Sequence, residues 1–569
     1  MIAVTSPGFV LFAALLAGLW YACPPPRRWQ LLLGANLLFY AVLCPAALPV
    51  LPGSSFLVWW CGRRTAKKPV FLAGLAAALL PLALLKYLPA ALGWQGTLAN
   101  ALGIGYFTLQ LVSYLCDVRR GRILPEEKYA RLLCYASFFL SITQGPFNRY
   151  DALMPQLDRP TVWDTDRVWR GVQRSAWGYF KKLAVADRAA VVVDAVFANP
   201  AAFDRTQLLL GGVLFTVQLY ADFSGYTDIV LGVGEVLGLH LPENFRQPFF
   251  ADSVKDIWAR WHISLSQWLR DYIYIPLGGS RCSKARKDGN LIITFLVSGL
   301  WHGAGLTYLV WGGLHGLCQA AENHLPPRRP GKLRHALRVA GTFCILAGAF
   351  VIFRASSLAN AAELFKGILC NGGHAVFSNY WELGLTSLQE EILLYTGIAI
   401  LLAVDAAHER GVSCSWAASS AAAASCMRGT DNFAACRGRA YLARPLPIQG
   451  TLRKAAGGPC NMIQQTRRVP IGRHTPGRFF MKLFQPLVRS KKLEHLAPAQ
   501  HTAGNLLGVA GHKNALVGDV RRVDRGAVGQ HPGVDQLIQH ADGQRRDVLG
   551  AQVVQNQQVG LLTGGQPLV

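Results

Sequence analysis

The chain has 569 residues, of which 51% are hydrophobic and only 16% charged, whereas a soluble domain usually carries about a quarter charged. That balance excludes an ordinary soluble domain and is the composition of a membrane protein. The formal net charge of +25 suggests nucleic acid, but the basic residues up to position 411 lie in short loops beside apolar segments, where positive-inside bias and anionic lipid account for them. No nucleic-acid motif accompanies the charge, so the expected partner is the lipid bilayer.

Apolar segments recur at Phe9–Cys23, Leu31–Cys44, Val70–Leu88, Leu132–Ile142, Leu208–Tyr220, Leu291–Ala321, Ala340–Phe353 and Ile392–Val404. A spanning helix needs roughly 20 residues, so the pattern predicts an all-α polytopic protein with about 10 to 12 spanning, broken or re-entrant segments. No Lys or Arg precedes the first apolar core, which predicts a retained first helix in place of a cleaved signal peptide. Basic clusters at Arg27–Arg28, Arg63–Lys68 and Arg119–Arg122 mark cytoplasmic loops, while 45–55 and 89–103 carry no charge. The thirteen Cys are scattered without metal-type spacing and read as reduced packing residues.

In the stretch 218–245, Asp222, Ser224, Tyr226 and Asp228 bring polar side chains into an apolar run. Two readings stand: an acid/base pair of carboxylates, or a helix start where Asp is favoured by capping and the macrodipole. The next piece, Ser253 to Tyr272, has helical periodicity, with Trp258, Trp261, Leu265, Trp268, Leu269 and Tyr272 on one stripe and His262 at its edge. Asp256 can pair with Arg260 one turn on, and Lys255 and Arg270 can reach headgroups. The sequence therefore predicts an aromatic, basic helix at the membrane interface.

Leu291–Ala321 contains no Asp, Glu, Lys or Arg, yet holds His302 and His315. An ionisable residue in a membrane run is costly enough to be a functional candidate. An imidazole kept neutral by apolar surroundings can accept a proton, the state a general base needs; the bland alternative is a histidine satisfied by a backbone carbonyl. On an unbroken helix, thirteen residues at about 100° each put His302 and His315 on opposite sides. The glycines at 299, 303, 305, 312, 313 and 316 allow close packing or a broken backbone. There is no P-loop, HExxH or paired-Cys zinc motif, so no bound cofactor and no metal are expected.

Beyond Gly411 the composition changes: of the 15 Trp only Trp416 follows, and no further apolar run of spanning length appears. Residues 412–569 read as an atypical basic, low-complexity tail, either poorly ordered or produced by a reading-frame shift, attached to a membrane domain at 1–411. No internal repeat is evident in the first 411 residues, which counts against transporters built from repeated halves.

The stretches "GIGYFTLQLVSYLCDVRRG", "QGPFNRYDALMPQL", "YADFSGYTDIVLGVGEVLG", "ENFRQPFFADSVKDIWARWHISLSQWLRDYIYIPLGG" and "GLWHGAGLTYLVWGGLHG" resemble the membrane-bound O-acyltransferase (MBOAT) family, in its bacterial branch of alginate O-acetylation and teichoic acid D-alanylation proteins. The resemblance implies a ring of tilted helices around a central tunnel in the bacterial cytoplasmic membrane. A cytoplasmic thioester donor, acetyl-CoA or an acyl carrier protein, would there meet an acceptor from the other side. It maps the family's near-invariant histidine onto His302 and its second polar position onto His262. Trp261, Trp301, Ser264, Arg270, Asp271, His315, Asp222 and Tyr226 are then candidate substrate-binding residues. The implied acceptor is a polysaccharide hydroxyl, reached directly or through an extracytoplasmic O-acetyltransferase partner. The alternatives are D-alanine transfer from a carrier protein, a proton-coupled transporter using the histidines as relays, and an inert export scaffold. Ile257 and Ala259 stand where bacterial relatives often have Phe and Arg, and the tail lacks the further membrane helices of the alginate type.

Overall fold

A computed structural model describes residues 4–92, 103–326, 330–372 and 387–412. The expected tail at 412–569 therefore lies, beyond its first residue, outside the described residues. Every regular element among the described residues is helical.

Four helices are long and apolar enough to cross a membrane: Lys68–Leu92, Arg205–Leu237, Lys332–Arg354 and Leu388–Glu409. Other apolar segments form shorter helices, such as Pro7–Ala22, Arg28–Leu43 and Ile104–Arg119 at 16 residues each, the class expected to be broken or re-entrant. Arg205–Leu237 is central: 83% of its apolar window is buried in protein, against 17%, 33% and 22% for the other three. It begins with a capping box in which Asp204 accepts from the Gln207 N–H and Gln207 accepts from the Asp204 N–H.

That boundary corrects the reading of Asp222 and Asp228 as helix-start residues, because both lie in mid-helix. Burial of a charge in such a place requires pairing. Lys182 pairs with Asp222 at 2.7 Å, while Asp228 takes Lys181 at 2.6 Å and Arg174 at 3.0 Å. The carboxylates are thus matched by separate cations, and the picture of a free acid/base pair gives way to a charge network between packed helices.

The Leu132–Ile142 stretch also departs from expectation. Its helix, Tyr129–Ala136, is short, and the chain continues as buried irregular backbone through Asn148. Such backbone is tolerated at membrane depth only when protein satisfies it. Asn36 does so, donating to the Cys134 carbonyl at 3.0 Å and accepting from the Phe139 N–H at 3.1 Å.

The basic loops share one face. Arg119 donates to the carbonyls of Thr65 and Ala66, the latter at 2.6 Å, and Arg120 to that of Asp271 at 3.2 Å. Two apolar cores flank the central helix, one built mainly from residues before 160 and one from residues after 185. Trp301 belongs to the first and Trp261 to the second, so the segments carrying His262 and His302 lie along their seam.

Candidate active site

The predicted helix from Ser253 to Tyr272 is broken at its histidine. Val254–Arg260 ends at Trp261, His262 adopts left-handed φ 43° and ψ 52°, and Ile263–Leu269 follows. A non-glycine residue in that region costs of order 1–3 kcal/mol and persists only where surroundings impose it. Here the Ile263 N–H is captured by the Asn244 carbonyl at 3.0 Å, while the next helix starts from the His262 carbonyl, which accepts from Ser266 at 3.0 Å. The stripe of Trp258, Trp261, Leu265, Trp268, Leu269 and Tyr272 is buried in protein. It packs into the cores, which corrects the expectation of a helix lying on the membrane interface. The Asp256–Arg260 pair forms as expected, at 3.0 Å.

His302 also ends a helix. Lys284–His302 stops at the extended residue Gly303, and Leu306–Glu322 returns as the second arm of a hairpin. The arms meet backbone to backbone: a Cβ at Gly299 would lie 2.2 Å from the Tyr308 carbonyl oxygen, and one at Gly312 would lie 2.3 Å from that of Phe295. The broken backbone removes the opposite-face geometry of an unbroken helix. His302 and His315 both touch Trp311, with ring centroids 5.2 and 5.0 Å apart from it.

Lys86 seals the end of the His302 helix, its ammonium donating to the carbonyls of Trp301 at 2.5 Å and His302 at 2.9 Å. The last carbonyls of a helix lack internal partners and favour a cation. Sequence reasoning missed this residue, although a lone Lys in the run Val70–Leu88 is a readable signal.

The two histidines flank Trp301. Its ring centroid is 4.7 Å from that of His302 and 6.4 Å from that of His262, and its Nε1 donates to the Gly105 carbonyl at 3.2 Å. Phe147 stacks on His262 at 5.8 Å and on Tyr106 at 4.8 Å, and Phe223 meets His262 edge-on at 4.7 Å. His262 is 2% exposed with an unpartnered Nδ1, whereas His302 is half-buried beside the exposed residues Ala304 and Gly305. One histidine is enclosed and the other is reachable.

The other candidates divide. Ser264 lies beside His262, donating to Asn244 Oδ1 at 2.6 Å and accepting from the Phe147 N–H at 2.9 Å. Trp261 packs on Phe245 and Phe350 at 5.1 Å each. Tyr226 bonds the Thr143 hydroxyl. His315 is fully buried, its Nδ1 accepting from Trp258 Nε1 at 3.3 Å and its Nε2 without a partner. Arg270 and Asp271 sit with the basic loops, where Asp271 pairs with Arg149 at 3.0 Å and Arg270 at 2.8 Å. Arg270 and Asp271 follow His262 by eight and nine residues through Ile263–Leu269, about 12–14 Å of helical rise, which carries them from the imidazoles toward the basic loops. Among the described residues no group of three or more His, Cys, Asp or Glu could hold a metal.

Comparison with known proteins shows the family. The model of the membrane-bound O-acyltransferase family matches residues 77–330, which include both histidines. The chain is 33% identical over 408 residues to the probable alginate O-acetylase AlgI of Pseudomonas putida, covering 68% of this chain and 83% of that protein. The chain belongs to the MBOAT family. It is also similar to the peptidoglycan O-acetyltransferase of Helicobacter pylori, 32% identical over 390 residues, covering 60% of this chain and 74% of that one. The teichoic acid D-alanyltransferase of Bacillus subtilis is 28% identical over 274 residues, 45% of this chain and 68% of its own length. As an MBOAT protein this chain is a membrane acyltransferase.

Proposed function

We propose that this MBOAT protein moves an acetyl group from a thioester donor on the cytoplasmic side to a hydroxyl of an exported cell-surface polysaccharide, or to an extracytoplasmic partner that completes the transfer. The donor is acetyl-CoA or an acylated carrier protein, the membrane is the bacterial cytoplasmic membrane, and residues 1–411 form the catalytic domain. The observation that carries this reading is the pair of imidazoles on either side of Trp301, one enclosed and one reachable.

In the mechanism, His302 removes the proton from the acceptor hydroxyl as that oxygen attacks the thioester carbonyl. His262, held among Phe147, Phe223 and Trp301, orients the acyl group or steadies developing charge. Sidedness supports the arrangement. The basic loops lie roughly 20 Å along Ile104–Arg119 from the level of Trp301, and basic loops face the cytoplasm. His302 is then nearest the outer face, where an exported acceptor arrives. The alginate and peptidoglycan acetylating relatives favour acetyl over D-alanine. Ester-linked acetate on the cell-surface polysaccharide, measured with and without the gene, tests the reading: its loss on deletion is expected, and unchanged acetate contradicts it.

A further inference from the structure

Asn244 carries a buried, unpaired N–H donor beside the turn at His262. Its side chain is completely buried. Oδ1 accepts from the Ser264 N–H at 3.2 Å and from Ser264 Oγ at 2.6 Å. These two bonds fix which end of the amide is oxygen, and Nδ2 is left with no partner. A buried donor without a partner costs stability and calls for an explanation. The main-chain carbonyl of the same residue holds the Ile263 N–H, which seats Asn244 against the strained turn at His262, whose Nδ1 is likewise buried and unpartnered. Ser264 cannot turn away, because its hydroxyl gives one hydrogen bond to Asn244 and receives one from Phe147. The amide is locked by Ser264, Ser264 by Phe147, and the Phe147 ring lies on His262.

We infer that Asn244 is a catalytic residue whose Nδ2–H donates to the thioester carbonyl oxygen as negative charge gathers there. The inference rests on the acyl-transfer mechanism proposed above. In that step the acceptor oxygen bonds to the carbonyl carbon, its proton passes to His302, and the carbonyl π pair moves onto oxygen. Collapse restores the C=O bond, breaks the C–S bond, and the proton passes from His302 to the departing sulfur. Nothing is oxidised or reduced. An amide N–H suits the task because it is neutral, keeps its proton and is already aligned, so little reorganisation accompanies the charge. Ser264, with its hydroxyl engaged on both sides, is a positioning residue.

The test uses the full-length protein in membrane vesicles from the producing cell, which retain any extracytoplasmic partner, with radiolabelled acetyl-CoA and, in a second arm, acetylated carrier protein, and the cell's surface polysaccharide. Asn244→Asp keeps the acceptor oxygen and deletes the N–H; Asn244→Ser is smaller and neutral. Both should lower kcat by about a hundred- to a thousandfold while leaving the KM for the donor within about threefold, the pattern of an interaction made only in the transition state. Ser264→Ala, which unlocks the amide without removing it, should lose about tenfold, less than either change at 244. A kcat within about threefold of wild type in either Asn244 variant, at equal folded abundance, overturns the inference. Loss of folded protein with both substitutions assigns Asn244 to the scaffold and overturns it too. Wild-type vesicles that transfer no acetyl instead contradict the acyltransferase reading itself.

Discussion

Lys86 holds the carbonyl of His302 at 2.9 Å, so the end of the helix carrying the proposed base is fixed by a cation from a different membrane helix. Removing that cation strands two helix-end carbonyls, at a cost of about 1–3 kcal/mol. It also frees the reacting imidazole, and a shift of about 1 Å at a reacting group can cost on the order of a hundredfold. Lys86→Met should therefore lower both the melting temperature in detergent and the rate of acetyl transfer, with Lys86→Arg retaining more of each. Thermal unfolding and transfer assays on the purified protein check this; unchanged values for Lys86→Met would show that the carbonyls find other partners.

The hairpin behind His302 depends on the absence of side chains at its crossing. Gly312→Ala places a methyl 2.3 Å from the Phe295 carbonyl oxygen, and overpacking of this kind typically costs about 1–3 kcal/mol. Gly289→Ala, on the same arm as His302 but with open space around it, should be neutral or stabilising by about 0.5–1 kcal/mol. Fluorescence-detected chromatography of the two variants compares them directly.

Asp222 offers a test of structure against chemistry. With Lys182 at 2.7 Å, removal of the carboxylate leaves the buried Lys182 held only by the part-exposed Asp187 at 2.8 Å, a loss of about 1.5–3 kcal/mol. Asp222→Ala should accumulate poorly, and the double change with Lys182→Met should recover much of the folded protein and its turnover. A double variant that folds fully but transfers no acetyl would return Asp222 to the catalytic machinery.

The two histidines of the hairpin should behave differently. His315→Gln retains an acceptor for the Trp258 N–H, a bond worth about 1 kcal/mol, and should keep transfer within about threefold of wild type. The measurement is the transfer rate per folded molecule; a loss comparable to that of a His302 variant would give His315 a direct role.

Much of this architecture was legible in the sequence. The apolar runs predict the long helices, and the uncharged stretch around His302 predicts a hairpin once its glycines are taken as a break. The Asp204–Gln207 capping box was readable too, and would have placed Asp222 in mid-helix. The break at His262 was not readable: neither Gly nor Pro marks it, and its cause is the carbonyl of Asn244, supplied from a separate segment. The same limit hid Phe147, which reaches His262 from irregular backbone five residues beyond the apolar stretch Leu132–Ile142. Local pattern reports period and caps, whereas hydrogen bonds between distant segments decide where a buried chain turns.

The central claim, that His302 is the base of acyl transfer, is tested most directly by His302→Ala in membrane vesicles supplied with labelled acetyl thioester and polysaccharide. A positioned base contributes about 10² to 10⁴ in rate. The account predicts that transfer falls by that factor while the protein accumulates at its usual level. Transfer at an undiminished rate by the folded His302→Ala protein would contradict it.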